Sequence, residues 1–200
     1  MNEKSISRSA KSAVPPRKRI MSAARDLFYR LGIRAVGVDA IAEAAATNKM
    51  TLYRHFGSKD VLIEAYVQEL ADEADARWEA IIAAHPDDAR AQVKAWLDHV
   101  EQVVNCSGER GCALANAAVD LRGPDHPAVH IVDAYKMRKR ARLIDLFARA
   151  GYENPEVLAD EVFLLFEGAR LSLQCYGGPE GPGARLMMML RRLLSDPSRP

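Results

Sequence analysis

The sequence has little of what builds covalent or metal-bound frameworks. Its three cysteines, Cys106, Cys112 and Cys175, make an odd count with no CxxC pair. That argues against a disulfide scaffold and a structural zinc site, and for a reducing, cytoplasmic setting. No apolar run approaches the roughly 20 residues that span a bilayer, so no membrane partner is expected. The basic N-terminus has no apolar stretch behind it and does not read as a secretory signal. No segment alternates apolar and polar residues as a half-buried strand would.

Signatures of catalysis are equally scarce. The glycine-rich GGPEGPG (177–183) contains prolines that remove N–H donors, and no Lys-Ser/Thr follows it, so it is no phosphate loop. His85, His99, His126 and His130 show no HExxH-like spacing, and there is no GxSxG elbow. No catalytic, metal or cofactor site is expected, and the chain is not read as an enzyme.

Net charge is almost absent, at +1 over 200 residues, but it is unevenly placed. Residues 1–60 hold twelve Lys/Arg against five Asp/Glu, whereas residues 61–200 hold sixteen against twenty-two. A basic end on a larger acidic body points to a polyanion met at one end only.

What is present reads as helix throughout. A Ser-rich basic arm (1–14) is expected to be disordered. Pro15-Pro16 opens a first helix that Gly32 stops. A short second helix, capped by Gly37, turns inward through Val38, Ile41, Ala42 and Ala45. After a turn at Ala46-Thr47, Asn48 caps a third helix ending near Phe56-Gly57. Ser58 caps a long fourth helix, with Asp60 in its first turn, running to about Ala84. Further helices are expected at roughly 87–104, 112–121, 127–150, 154–176 and 182–195, separated by Pro- and Gly-marked breaks at 85–86, 107–108, 123–127, 151 and 177–183. The fold class is all-α with about nine helices. It divides into a helix-turn-helix unit (15–58) and a larger helical ligand-binding and dimerisation domain (59–200).

The stretch NKMTLYRHFGSK (48–59) is the most informative one. Leu52 and Phe56, one turn apart, can anchor it inward. Lys49, Met50, Thr51, Tyr53, Arg54 and His55 are left around the exposed sides. Lys and Arg can donate to guanine and Met can touch a thymine methyl, while Thr, Tyr, His and Lys59 suit phosphate oxygens. Three helices with this layout form a helix-turn-helix, whose last helix enters the major groove. Double-stranded DNA is therefore the expected partner. Arg17, Lys18 and Arg19 are further candidates for phosphate contact, and KMRKRAR (136–142) is either a second nucleic-acid patch or a solvated face.

The segment VDAIAEAAATNKMTLYRHFGSKDVLIEAY resembles the DNA-binding region of the TetR family of bacterial transcriptional regulators. The resemblance covers about residues 17–66 and rests on Ile41-Ala42, the turn, Thr51-Leu52-Tyr53, Phe56 and Ser58-Lys59. It implies base reading by Lys49, Met50 and Arg54, and phosphate contacts from Gly37, Thr51, Tyr53, His55 and Lys59. Gly37 stands where the family commonly has Thr or Ser, Ala46 where it has a turn glycine, and Thr47 where it has an aliphatic residue.

A single helix-turn-helix reads few base pairs, so a symmetric dimer on a palindromic operator is expected. Residues 154–176 are apolar around most of their circumference and the last helix is apolar as well, offering a homodimer surface. Leu158, Val162, Leu165, Gly168, Ser172, Leu186 and Leu190 are its candidate residues. The resemblance implies that the last two helices pair with their mates as a four-helix bundle. Trp96, Cys112, Asn116, Met137, Phe147 and Phe166 are candidates for lining a chamber for a small-molecule effector, with Leu114 beside them. The function expected is a ligand-responsive DNA-binding regulator, a homodimeric repressor with the fourth helix as its lever. The alternative is an all-helical binding or catalytic protein without specific DNA binding.

Overall fold

The computed structural model describes residues 14–106, 110–121, 125–175 and 181–195, all helices and connections. Nine α-helices lie among the described residues: α1 (Pro16–Leu31), α2 (Val38–Ala44), α3 (Lys49–Phe56), α4 (Lys59–Ala83), α5 (Ala89–Cys106), α6 (Ala113–Asp120), α7 (Pro127–Arg149), α8 (Pro155–Cys175) and α9 (Leu186–Leu193). The sequence expectations for these elements hold to within two residues, except at the last helix. There the first turn, Pro182–Arg185, is a 3-10 helix that tightens into α9. The arm up to residue 13 and parts of the breaks at 107–108, 123–127 and 177–183 lie outside the described residues.

Local chemistry explains the helix starts. Asn48 Oδ1 accepts from the Thr51 amide at 2.8 Å, and Ser58 Oγ from the Val61 amide at 3.1 Å. Asp88 does the same for α5, taking the Ala91 amide at 2.9 Å, which is why that helix begins after the Pro86 break. The α2–α3 turn passes through Ala46 at φ 49°, a left-handed conformation that costs a residue with a Cβ about 1–2 kcal/mol. Arg19 supports that turn, donating from Nε to the Ala45 carbonyl (3.0 Å) and from Nη2 to the Ala46 carbonyl (3.4 Å). The guanidinium is therefore occupied by the turn rather than poised for a phosphate.

The buried side chains form two clusters. One joins α1, α2 and α3 to the first half of α4, to α6 and to the start of α7, through residues such as Ile20, Phe28, Ile41, Leu52, Tyr66, Leu114 and Val132. The other joins α5, the end of α7, α8 and α9 through Trp96, Leu143, Phe147, Val162 and Leu190. Packing thus runs unbroken past residue 58, and the helix-turn-helix shares its core with α6.

That sharing is sharpest where α6 meets the end of α1. Gly32 has φ 89°, and a Cβ there would stand 3.0 Å from Asp120 Oδ2, so both conformation and space call for glycine. Asp120 Oδ2 accepts the Ile33 amide at 2.8 Å, and the Ile33 carbonyl accepts from Lys59 Nζ at 2.9 Å. Arg110 Nη1 donates to the Arg30 carbonyl at 2.7 Å, and Tyr29 Oη to the Gly111 carbonyl at 3.5 Å. Four hydrogen bonds therefore tie the end of α1 to α4 and to α6 with the residues leading into it.

Ile33 is buried, so Asp120→Ala strands its amide. The variant is expected to lose about 1–3 kcal/mol of stability, read as a lower urea midpoint at unchanged slope.

Candidate nucleic-acid interface and ligand cavity

The amphipathic logic of α3 decides its orientation. Leu52 and Phe56 are buried against α1 and α2, and the guanidinium of Arg17 lies 5.0 Å over the Phe56 ring. Lys49, Met50, Tyr53, Arg54 and His55 are exposed, Met50 at 77 %. A methionine so exposed on a helix otherwise fixed by packing has no structural duty there. Thr51 is half-buried beside its cap, and Lys49 Nζ lies 3.4 Å from Asp39 across the turn. Gly37 caps α2 with extended geometry (φ −84°, ψ 159°) and open space where a Cβ would be. Lys59 points inward: burial holds its ammonium below the usual lysine range, and it donates to Ile33 as described above.

A second site lies in the body. Helices α4, α5, α7 and α8 line a partly open cavity of about 290 Å³. Its aromatic wall is Trp78, Trp96, Tyr135 and Phe166, and its polar wall is Arg77, His99, Lys139, Arg142 and Arg170. Burial pushes Lys139 down to about 8, and Glu167 only partly offsets this. Burial, and then the nearby charges of Arg77, Lys139 and Arg170, hold His99 below its ordinary value. Burial would raise the Glu167 carboxyl, but Lys139 and Lys136 more than compensate and hold it low.

The basic run 136–142 serves this region rather than a second DNA surface. Lys136 and Lys139 both reach Glu167, at 2.5 and 3.0 Å. Arg138 meets Asp75 at 3.0 Å, Arg140 pairs with Asp160, and Arg142 pairs with Asp75 and with Glu79 at 2.8 Å. These side chains join α7 to α4 and α8.

Of the residues the sequence offered for a chamber, the structure places Trp96 and Phe166 in the wall. The other four sit elsewhere. Met137 is 73 % exposed on α7, because the inward stripe of that helix passes through Tyr135, Lys139 and Arg142. Phe147 is wholly buried in the same cluster but behind the wall, packed edge-on to Trp96 with ring centres 6.4 Å apart. Cys112 is a free thiol buried in the N-terminal core with Leu114, and Asn116 Nδ2 donates to the Arg110 carbonyl at 2.6 Å. Sequence reasoning missed Arg77, Lys139, Arg142 and Arg170, because neither a charge within a basic run nor a single arginine on an amphipathic helix gives a sign of facing inward.

The candidate dimer residues need a similar correction. Leu158, Val162, Leu186 and Leu190 are buried inside the protomer core, since the α8–α9 packing uses that side of both helices. Leu165 and Ser172 are half-buried, and Gly168 is exposed with nothing within 4 Å of an added Cβ. Among the described side chains, the large apolar residues left outward on α8 are Val157, Leu164 and Leu171, spaced seven apart, with Met188 and Met189 on α9.

Residues 20–66 match the family described as "Bacterial regulatory proteins, tetR family". Over 118 residues the chain is 32 % identical to the HTH-type transcriptional regulator UidR of Escherichia coli, covering 58 % of each protein. Over 88 residues it is 33 % identical to the HTH-type transcriptional activator FasR of Mycolicibacterium smegmatis, covering 42 % of this chain and 40 % of that one. The chain thus aligns with less than two thirds of the length of the curated relatives it matches. A TetR-family transcriptional regulator from Streptomyces coelicolor superposes with a TM-score of 0.83 at 29 % identity, over 92 % of this chain and 96 % of that one. The match over residues 20–66 and the likeness along nearly the whole fold lead to one conclusion: the N-terminal unit is similar to that of the TetR family of bacterial regulatory proteins, on a fold shared with a TetR-family transcriptional regulator.

Proposed function

We propose that this protein is a ligand-responsive transcriptional regulator, a homodimer that binds a palindromic operator and is released from it by a small molecule. The observation that carries the reading is α3. Its apolar side is committed to the core, and its free side displays Lys49, Met50, Tyr53 and Arg54. In this assignment Lys49, Met50 and Arg54 read base edges, and Thr51, Tyr53, His55 and the Gly37 backbone contact phosphates. Lys59 acts mainly by fixing Ile33, with its remaining protons available to a phosphate. A dimer bound across a promoter excludes polymerase with no further contact surface, which makes repression the simplest mode; the chain itself has no catalytic part in it.

Dimerisation would use the Val157, Leu164 and Leu171 stripe, where Gly168 permits close approach of a partner helix. Release follows from linkage: a ligand that prefers one spacing of the two α3 helices weakens DNA binding by as much as DNA weakens its own. The tie between α6 and the end of α1 would carry the change, with α4 as the rigid connection.

Selection from a random duplex pool at physiological salt is expected to enrich an inverted repeat, bound about a thousandfold or more above scrambled DNA. Arg54→Ala should relax the preference at one base position of each half-site, whereas Tyr53→Phe should weaken all sequences alike. No enrichment, with only salt-sensitive and sequence-blind binding, would leave α3 as a charged surface and favour a small-molecule binder of another kind. Leu164→Glu is expected to give a monomer in sedimentation at micromolar concentration, with an unchanged helical spectrum and loss of inverted-repeat binding; a variant that stays dimeric removes α8 from the interface.

A further inference from the structure

The cavity between α4, α5, α7 and α8 carries charge of one sign. Arg77, Lys139, Arg142 and Arg170 line it, and among the described residues no carboxylate does. The acids that pair with these bases stand behind the wall and are shared. Glu167 serves both Lys136 and Lys139, Asp75 serves both Arg138 and Arg142, and Glu73 serves both Arg25 and Arg77. Among the described residues only Arg142 of these has a second acid, in Glu79. Positive charge is therefore in excess around a space with aromatic walls.

Arg170 is the least compensated. Its Nη2 donates to the Gly111 carbonyl at 3.1 Å, its Nε is buried without an acceptor among the described residues, and its guanidinium lies 5.5 Å over the Phe166 ring. Lys139 Nζ stands 4.1 Å from the centre of that same ring. Leaving a buried N–H of a charged group unmatched is costly, and a guanidinium fork is the side chain best shaped to take a carboxylate on two donors.

We infer that the effector of this cavity is a compact amphipathic anion. Its acid group, a carboxylate or an equivalent oxyanion, meets Arg170 and Lys139, and its apolar body lies against Trp96 and Phe166. A neutral ligand would leave the excess charge as it is, and a cation would add to it. The volume, about 290 Å³, is at the low end for small-molecule sites and limits the body to a single ring system or a short chain. The assignment rests on reading the cavity as the effector site. It also indicates where the signal leaves: the Gly111 carbonyl that holds Arg170 also accepts the Tyr29 hydroxyl of α1, so an acid that draws Arg170 inward acts on an atom the DNA-reading unit is tied to.

The test is calorimetric titration of the full chain, without DNA, with octanoate and 2-naphthoate against octanamide, 2-naphthamide and octylamine. For the octyl series, fluorescence of Trp78 and Trp96, the chain's two tryptophans, reports the cavity directly because both line it. At least one acid is expected to bind ten times or more tighter than its amide, with octylamine weakest. Arg170→Gln should bring the acid down to the amide's affinity while the amide's own is kept, which shows that the cavity is still folded. Arg170→Lys, which keeps the charge and loses the fork, should fall between. Equal affinity for acid and amide, preference for the amine, or no binding of either acid below millimolar concentration overturns the proposal. None of these outcomes bears on operator selection, and failure to select an operator would not alter them.

Discussion

The carboxylate of Asp120 reaches past Gly32 to hold the Ile33 amide, and Lys59 holds the carbonyl of the same residue from the other side. These two bonds fix the loop between α1 and α2, and so fix α2 and α3, relative to the body. The arrangement requires a glycine at position 32, an acid at the end of α6 and a lysine at the start of α4. Each alternative is costly: a Cβ at position 32 would be strained at φ 89° and would press on Asp120 from 3.0 Å, and a missing partner would leave a buried backbone group unmatched. The orientation of the recognition helix follows from this joint and from the burial of Leu52 and Phe56.

The same joint gives the two ends of the molecule a common boundary. The N-terminal core does not stop at the helix-turn-helix but continues through Tyr66, Leu114 and Val132 into the body. A rigid connection of this kind transmits a displacement, where a flexible linker would dissipate it. Arg170, Gly111 and Tyr29 form a short chain of hydrogen bonds from cavity to α1, and Arg110 and Asp120 hold the same helix end on either side. A change of shape at the cavity therefore has a direct physical route to the end of α1 and so to the placement of α3.

Charge in the body is distributed by a different rule from charge at the DNA-reading end. On α3 the cations are exposed, Lys49 within 3.4 Å of Asp39 across the turn and Arg54 facing outward. On α7 the cations are drawn into shared pairs with α4 and α8 and surround a space with aromatic walls. The neutral total conceals both facts. The opposing net charges of the two segments indicate one and hide the other, since the acidic body contains a positively charged interior site.

The sequence by itself determined the helices, their caps and the exposed basic face of α3, because these depend on neighbours three or four residues away. Asn48, Ser58 and Gly57 mark their ends chemically, and the 3.6-residue period separates Leu52 and Phe56 from Arg54. Helix α8 shows the limit of that information. It is apolar around most of its circumference, and periodicity could not say which side faced its own core. Leu158 and Val162 turned inward while Val157, Leu164 and Leu171 were left outside. The cavity was beyond reach for a related reason. Its cations come from three helices and are distinguished only by facing one another, so Met137 and Lys139, two residues apart in one basic run, parted to opposite sides of α7. Only tertiary packing decided that, because facing inward depends on what lies across the gap rather than along the chain.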